Sequence, residues 1–275
     1  MKYFIVTGAY GGMGRKTVKL LKEQGFAVFA LDKRVEEEEE NVFPILIDVT
    51  DEKSVFSAVD KVKSITDSIY GIIHYAGVYM LDSLIEIPVE KLKAIVNINF
   101  LGAAIVNRAF ASMLDGNGRI LHVTSELAPL YPLPFTGIYA VTKTALDRYA
   151  YSLRMEMQLL GVHVSVLRAG AVETDMLGAS TTALDAFCKK TEHYTFNADK
   201  FRRIVNKVEA RCITTDKLAK RAVGIVTKKR PKFAYSINRN PLLLLLSILP
   251  KRMQLWVIKK VWYVMAISFC RWMRL

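Results

Sequence analysis

The stretch TGAYGGMG, residues 7–14, decides the fold of this chain. It stands between an apolar run at 3–6 and a helix-compatible segment at 13–24, and a second apolar run at 26–31 follows at once. This order of strand, helix and strand is typical of a parallel sheet with crossover helices. Glycines at such a turn let the backbone and the helix N-terminus approach a pyrophosphate closely. The stretch therefore predicts an anion cradle at the carboxyl edge of a parallel sheet.

The same alternation continues to about residue 168. Further buried strands are predicted at 43–47, 70–74, 119–124 and 162–167, and helices near 52–63, 89–114 and 139–160. Beyond residue 168 the predicted elements are a substrate lid at 173–212, a helix at 215–227 and a last strand at 233–237. We therefore expect an α/β fold with a doubly wound parallel sheet, in a single domain at 1–239 followed by a helical tail at 240–275.

The composition suits one large folded domain. The 275 residues are 52% hydrophobic, which is ample for a core. The three cysteines lie far apart and the four histidines lack metal-ligand spacing, so we expect neither disulfides nor a metal site. A reducing compartment is the simplest interpretation.

The formal net charge of +13 is concentrated at one end of the chain. Residues 228–275 contain eleven Lys and Arg and no Asp or Glu, which leaves +2 for the other 227 residues. Because the main body is nearly neutral, we expect no nucleic acid partner.

The tail, residues 240–275, combines this charge with apolar side chains. All three tryptophans lie in it, amid a leucine run at 242–246 and an apolar run at 261–270. Neither half reaches the about 20 apolar residues that a spanning helix needs. The mixture predicts peripheral, monotopic contact with the cytoplasmic side of a membrane. A helix pair packed on the domain or on a partner subunit is the alternative.

Asp32 ends the second predicted strand, 18 residues after Gly14. A carboxylate there can accept hydrogen bonds from the ribose hydroxyls of an adenine dinucleotide and repel a 2′-phosphate, which favours NAD. Lys33 and Arg34 follow immediately and could pair with a 2′-phosphate, which leaves NADP open.

Tyr139 and Lys143 form a YxxxK pattern at the start of a predicted helix, and Ser125 ends a predicted strand fourteen residues upstream. Since one helical turn separates Tyr139 from Lys143, the ammonium can lie near the phenol and favour its ionised form. Asn99 lies between the glycine stretch and Ser125. The ordered set is far more specific than a YxxxK pattern alone.

Seven motifs together resemble those of the short-chain dehydrogenase/reductase family, over about residues 2–237. They are TGAYGGMG (7–14), DVT (48–50), YAG (75–77), NINF (97–100), VTS (123–125), YAVTK (139–143) and RAGAVET (168–174). The resemblance implies a Rossmann fold with Asn99, Ser125, Tyr139 and Lys143 as the catalytic residues. It also implies that Asp48 lies near the adenine and Thr174 near the nicotinamide carboxamide. The other cofactor contacts that it implies, besides Tyr139 and Lys143, are Gly8, Tyr10, Gly12, Met13, Gly14, Asp32, Lys33, Val49, Ala76, Gly77, Gly170 and Val172.

The chain departs from the family pattern at scaffold positions. His74 and Tyr75 stand where the family usually has two asparagines, and Ala169 stands where it usually has proline. The glycines also fit the GxxGxxG pattern of longer epimerase-type relatives. The absence of a sizeable extra substrate domain after residue 170 favours the shorter type.

The resemblance implies an NAD(P)-dependent oxidoreductase that interconverts a secondary alcohol and a ketone. Tyr139 would exchange the proton, with its pKa shifted toward neutrality by Lys143 and by the positively charged nicotinamide of the oxidised cofactor. The apolar basic end resembles the retinol dehydrogenase and 17β-hydroxysteroid dehydrogenase branch, so we expect a hydrophobic substrate of the steroid or retinoid class and a homo-oligomer. The alternatives are an enzyme for a small polar substrate whose tail serves oligomerisation, and a non-catalytic, membrane-docked dinucleotide sensor.

Overall fold

The computed structural model describes residues 1–130, 133–209 and 211–262, which form the predicted doubly wound α/β fold. All paired strands of its seven-stranded sheet are parallel. In chain order the strands are β1 (Tyr3–Thr7), β2 (Ala27–Asp32), β3 (Val42–Leu46), β4 (Ile69–His74), β5 (Leu114–Ser125), β6 (His163–Ala169) and β7 (Ala234–Ile237). Across the sheet they lie in the order β3-β2-β1-β4-β5-β6-β7. Winding reverses between β1 and β4, and ligands of such sheets bind at the carboxyl ends of the strands there.

Helices cover both faces of the sheet, which explains why its strands are continuous apolar runs. In chain order they are α1 (Gly12–Glu23), α2 (Glu52–Lys63), α3 (Val89–Val96), α4 (Gly102–Phe110), α5 (Gly137–Met157), α6 (Asp175–Lys190), α7 (Thr195–Glu209), α8 (Thr215–Val226), α9 (Pro241–Ile248) and α10 (Lys251–Trp262). Alternate strand residues point to opposite faces, so Phe4 and Val6 pack on the side of α1 and α8, whereas Ile5 packs on the side of α2 and α4.

The helix predicted at 89–114 is interrupted. A π-helical turn, Asn97–Leu101, separates α3 from α4, and β5 begins at Leu114, earlier than the predicted 119. Taken together with the π-helical turn, the helical stretch Val89–Met113 is long and apolar enough to cross a membrane, and in the described ranges no other stretch is. In the fold its residues Val106 and Phe110 are fully buried against the sheet.

The segment predicted as a lid shows little periodicity in sequence but folds into α6 and α7. Buried Leu184, Phe187 and Phe201 from these helices form a cluster with Leu81, and Phe135 packs against it. We call this set the lid cluster. Beyond this cluster the tail begins with α9 and α10. Residues 263–275 of the predicted tail lie outside the described part of the chain, as do residues 131 and 132. The predicted domain boundaries stay predictions.

Candidate active site

The glycine stretch after β1 closes on itself so tightly that side chains do not fit. Gly8 has a φ of +66°, and its carbonyl accepts a hydrogen bond from the Gly11 N–H at 3.2 Å. A Cβ on Gly14 would lie 2.1 Å from the Gly8 oxygen, and a Cβ on Gly8 would lie 2.7 Å from the Ala76 nitrogen. Only glycine meets both constraints, which brings the start of α1 against the ends of β1 and β4.

A cavity of about 370 Å³ lies beside this turn, at the switch point of the sheet. Most of the predicted cofactor contacts line it, namely Gly8, Tyr10, Gly12, Met13, Gly14, Asp32, Lys33, Val49, Ala76, Gly77 and Thr174. Arg34, which could pair with a 2′-phosphate, also lines it, and six further lining residues are not predicted from the sequence, namely Gly11, Leu31, Ile47, Tyr75, Val78 and Ile98. Their position next to assigned residues is the only signal that could have found them.

The rim of the cavity holds the predicted acidic residue. Asp32 Oδ2 accepts a hydrogen bond from the Tyr10 N–H at 2.9 Å, and Lys33 forms an ion pair with Asp48 at 2.9 Å. Asp48 Oδ1 also accepts hydrogen bonds from the N–H and hydroxyl of Thr50. Both basic residues after β2 line the cavity, and Lys33 already has a carboxylate partner. In the described structure, Arg34 is therefore the one of the two whose side chain has no acidic partner.

These residues fit a dinucleotide. The N-terminus of α1 lies at the cavity and has no side-chain cap, and at Gly11 and Gly12 no Cβ stands between the cavity and the backbone N–H groups. The residues that would hold the pyrophosphate are Gly11, Gly12 and Met13, at the N-terminus of α1, and Asp32 would hold the ribose. When bound, the dinucleotide supplies hydride transfer to or from the substrate carbon.

Three of the four predicted catalytic side chains meet where β5 ends beside α5. Ser125 is the last residue of β5, and its hydroxyl lies beside the Tyr139 phenol, whose pKa it lowers. Lys143 is one turn further along α5, with its Nζ 5.8 Å from the centroid of the Tyr139 ring and 3.2 Å from the Val123 carbonyl oxygen, to which it donates. The strand end and the helix thus place phenol, hydroxyl and ammonium together, as the spacing predicts.

Asn99, the fourth residue, lies in the π-helical turn Asn97–Leu101 and is fully buried. Its amide is tied to the loop after β4, since Oδ1 accepts from the Val78 N–H at 2.7 Å and Nδ2 donates to the Val78 carbonyl at 2.9 Å and to Thr142 Oγ1 at 3.1 Å. Asn99 and Lys143 converge on Gly77, where a Cβ would lie 3.2 Å from Asn99 Oδ1 and 3.4 Å from Lys143 Nζ. Because Gly77 also lines the cavity, the catalytic group adjoins the cofactor site.

Burial controls the proton affinities of this group in the protein alone. It raises the pKa of Tyr139 to about 12, against a smaller lowering by the Ser125 hydrogen bond, and it lowers the pKa of Lys143 to about 8. The predicted shift toward neutrality includes the charge of a bound oxidised nicotinamide and stays a prediction. In the protein alone, desolvation of the phenolate outweighs the neighbouring groups, while Lys143 is bonded to the Val123 carbonyl. At neutral pH the phenol therefore keeps its proton.

The two unusual residues at the end of β4, His74 and Tyr75, have scaffold contacts, as predicted from their position. The Tyr75 hydroxyl is 2.7 Å from Thr17 Oγ1 of α1, and His74 Nε2 is 2.8 Å from Asn107 Oδ1 of α4. The His74 ring stacks on His122 of β5 with centroids 4.5 Å apart. Burial lowers the pKa of His74 to about 4, so this pair is neutral at physiological pH.

The remaining predicted residues lie beyond β6. Thr174 lines the cavity, with its Cγ2 3.4 Å from the place that a Cβ on Gly12 would take. Val172 is buried and paired with Ile213. Gly170 packs against the chain after β7, since a Cβ there would lie 1.9 Å from the Asn238 oxygen. Among the described residues, Gly170 and Val172 do not line the cavity, and their roles as cofactor contacts stay predictions.

Comparison with known proteins identifies the family. A family model described as short chain dehydrogenase matches residues 2–185. The chain therefore belongs to the short-chain dehydrogenase family.

Three curated relatives show the range of this similarity. Uncharacterized oxidoreductase YbbO of Escherichia coli (strain K12) is 34% identical over 180 residues, covering 63% of this chain and 66% of that one, so this chain spans just under two thirds of its length. Estradiol 17-beta-dehydrogenase 2 of Mus musculus is 32% identical over 191 residues, covering 65% of this chain and 50% of that one. The 3-ketodihydrosphingosine reductase of Bacteroides thetaiotaomicron is 24% identical over 236 residues, covering 85% of this chain and 87% of that one.

The fold is shared with solved structures of this family. A short chain dehydrogenase from Burkholderia cenocepacia J2315, in complex with NADP, superposes with a TM-score of 0.70 at 20% identity, covering 93% of this chain and 97% of that one. The predicted Rossmann fold is confirmed, and NAD(P) is consistent with the family and with the cavity described above.

Proposed function

We propose that this protein is an NAD(P)H-dependent reductase of a carbonyl group, a ketone or an aldehyde, on a hydrophobic, lipid-like molecule of the steroid or retinoid class, in the retinol dehydrogenase and 17β-hydroxysteroid dehydrogenase branch. The observation that carries the proposal is the phenol of Tyr139, held by Ser125 beside Lys143 and linked to an apolar lid. A phenol that keeps its proton at neutral pH is suited to donating it to a carbonyl oxygen, which is the reductive direction.

The hydrophobic substrate is supported by the path from Tyr139 to the lid. The Tyr79 ring lies 4.8 Å from the Tyr139 ring and also packs against the lid cluster. Phe135 extends that apolar surface, with its ring centroid 4.6 Å from Phe187 and 4.9 Å from Phe201. Two relatives are named for lipid substrates, estradiol 17-beta-dehydrogenase 2 for estradiol and 3-ketodihydrosphingosine reductase for 3-ketodihydrosphingosine, which supports a lipid substrate here as well.

In the proposed reaction the chain acts on the carbonyl oxygen. Ser125 donates a hydrogen bond to that oxygen, and Tyr139 donates its proton to it as negative charge develops. Lys143 then stabilises the phenolate electrostatically. Asn99 holds the loop that carries Val78 and, by the resemblance, a water that returns the proton from solvent. Loss of one such donor typically costs about 3 kcal/mol of transition-state stabilisation.

The test is an assay of NADH and NADPH oxidation by the full-length protein. The substrates are a 17-ketosteroid, retinal and a 3-ketosphingoid base on one side, and small keto sugars and hydroxy ketones on the other. We expect turnover of at least one lipid substrate and none of the sugars. Turnover of only the polar substrates would replace the proposal by the alternative enzyme, and tight dinucleotide binding without any turnover would replace it by a sensor.

The cofactor preference follows from the same rim. We propose that NADH is preferred to NADPH, because Asp32 faces the ribose site and Lys33 is paired with Asp48. Asp32→Ser should shift the ratio of the two kcat/KM values toward NADPH by about tenfold or more, which corresponds to about 1.4 kcal/mol. An unchanged ratio contradicts this preference.

We also propose a homo-oligomer that uses the outer side of α5. Tyr151 and Met155 of α5 and Leu159 of the short turn that follows it have four-residue spacing and are each at least half exposed. Such a row of apolar side chains fits a second copy of the same helix. Light scattering should give the mass of a dimer or tetramer for the wild type and a lower mass for Met155→Glu, and a monomeric wild type would contradict the proposal.

A further inference from the structure

The described part of the tail, α9 and α10, exposes a large apolar surface. Leu242 is 69% exposed, Ile248 is 79% exposed and Leu255 is 69% exposed, and Leu245 and Trp256 are also more than half exposed. The two helices form one unit, because Gln254 of α10 is buried and donates to the Leu249 carbonyl at 2.7 Å across the turn between them. Contiguous apolar surface of this kind marks an interaction site.

The charge around this surface identifies its partner. Arg252, Lys259 and Lys260 of α10 are exposed beside Leu255 and Trp256, and residues 228–275 carry eleven basic residues and no acidic ones. A second copy of this chain offers no net negative charge, since its other 227 residues have a formal charge of +2, and in its exposed acidic run at 36–40 two carboxylates are already paired with Arg15 and Lys22. An anionic lipid bilayer offers apolar acyl chains to the leucines and negatively charged headgroups to the lysines.

The tail is joined to the active site at its first residue. Glu126 follows Ser125 directly, and its buried Oε2 accepts a hydrogen bond from the Asn240 N–H at 2.6 Å. Asn240 in turn caps α9, since its Oδ1 accepts from the Leu242 N–H at 2.9 Å. The helix that exposes the leucines therefore starts at a contact with the residue next to the catalytic serine.

The tail is joined to the lid at its other helix. Ile258 of α10 packs against the lid cluster formed by Leu184, Phe187 and Phe201. Ile258 is only partly exposed there, whereas Leu255, Trp256 and Lys259 of the same helix are exposed. One short helix thus presents one side to solvent and the other to the residues that cover the substrate region.

We infer that the tail is a lipid-operated part of the lid. Adsorption of α9 and α10 to an anionic bilayer surface immobilises α10. Because Ile258 packs against the lid cluster, this reduces the motion of α6 and α7 as well. The lid is then ordered at the membrane, where a lipid substrate is available. The inference builds on the lipid-like substrate of the proposed function, but its tests need no turnover.

The first experiment measures adsorption by full-length protein. Because all three tryptophans lie in the tail, their emission reports on the tail alone. Vesicles of three parts phosphatidylcholine and one part phosphatidylserine should shift this emission to the blue and pull the protein down on sedimentation, whereas pure phosphatidylcholine vesicles should do so far less. The double charge reversal Lys259→Glu with Lys260→Glu should weaken sedimentation more than about tenfold.

A matched control keeps the change in net charge. Lys61→Glu with Lys63→Glu alters two exposed lysines of α2, in the body of the domain, and should leave adsorption near the wild-type value. If both double variants lost vesicle adsorption equally, the effect would come from net charge alone, and the assignment of the tail as the membrane-binding surface would be wrong. Self-association of the wild type that the tail variant abolishes, with no vesicle binding, would assign the surface to a second copy instead.

The second experiment measures the coupling by hydrogen exchange of the lid. In peptides covering 184–204, exchange should slow several-fold when anionic vesicles are added. Ile258→Ala should still sediment with the vesicles, but the change in the lid should disappear. If lid exchange is the same with and without vesicles in the wild type, or if Ile258→Ala retains the full change, the coupling is wrong even where reductase activity is found.

Discussion

The dinucleotide end and the substrate end of this molecule are held together by different kinds of contact. At the dinucleotide end, backbone meets backbone, and a single added methyl group on Gly14 would approach the Gly8 oxygen to 2.1 Å. At the substrate end, side chains from distant parts of the chain meet, as Phe135 does with Phe187 and Phe201. The first arrangement tolerates almost no change, whereas the second can repack. Substitutions should therefore act sharply at one end and gradually at the other.

The largest effect is expected where the two ends meet. Tyr139→Phe removes the proton donor but keeps the ring that packs against Tyr79. General acid catalysis contributes about 10²- to 10⁴-fold, so turnover should fall by that factor while dinucleotide binding stays nearly unchanged. The measurements are NAD(P)H oxidation and a fluorescence titration with the dinucleotide.

A matched tyrosine on the same helix serves as the control. The Tyr149 hydroxyl accepts from Asn107 at 3.3 Å, on the side of the sheet that holds the histidine pair. Tyr149→Phe should keep most of the activity. A Tyr139→Phe protein that retains a tenth of wild-type turnover would show that the phenol is not the proton donor.

The difference between the two ends also explains what the sequence can predict. The glycine turn, the strand order and the Tyr139–Lys143 pair depend on spacing within a few residues, so local patterns predict them. The lid cluster joins Leu81 to Phe201, and Glu126 meets Asn240 across 114 positions of the chain, so no local pattern reveals these contacts. Only the packed structure brings them together.

The pKa of Tyr139 in the protein alone cannot be predicted from the sequence for a related reason. Its neighbour Lys143 is visible in the sequence, but the desolvation that dominates the shift depends on everything that covers the phenol. The same holds for Phe135, whose φ of +64° is unusual for a bulky residue and is compatible with the fold because its ring is packed among Phe187, Tyr194 and Phe201.

The second prediction tests how rigid the dinucleotide end is. Gly14→Ala should abolish dinucleotide binding and lower the free energy of unfolding by about 2 kcal/mol, because the new methyl group collides with the Gly8 carbonyl. Gly224→Ala, in the exposed interior of α8 where a Cβ meets nothing within 4 Å, should instead stabilise the protein by about 0.5–1 kcal/mol. Denaturant titration and dinucleotide binding measure both. If Gly14→Ala and Gly224→Ala changed stability and dinucleotide binding equally, the dinucleotide end would not be the rigid part of the molecule.

The third prediction concerns pH. Reduction requires Lys143 to be charged and Tyr139 to be protonated, and their pKa values are about 8 and about 12. The lower value limits the reaction of the free protein with its substrate, so kcat/KM should fall as pH rises through about 8, by about tenfold per unit well above it. Any residual activity of Lys143→Arg should lack this break, since a guanidinium stays charged. A wild-type rate that is flat to pH 10 would contradict the need for a charged Lys143.

The smallest effect is expected at the anchor of the lid. The Glu86 carboxylate accepts hydrogen bonds from the Thr191 hydroxyl at 2.8 Å and from the N–H groups of Glu192 at 2.8 Å and His193 at 3.0 Å, where α6 ends. Glu86→Ala removes all three, but water can replace the carboxylate at this partly exposed place. We therefore expect KM for the hydrophobic substrate to rise by about fivefold, about 1 kcal/mol, with kcat and dinucleotide binding unchanged.

Glu90→Ala is the matched control, because Glu90 is an exposed carboxylate of the adjacent α3 that pairs only with Lys93 at 3.2 Å in the described structure. It should leave KM unchanged. If Glu86→Ala instead lowered kcat as strongly as it raised KM, the lid would position the reacting groups as rigidly as the glycine turn positions the dinucleotide. The two ends would then differ in the kind of contact but not in their tolerance of change.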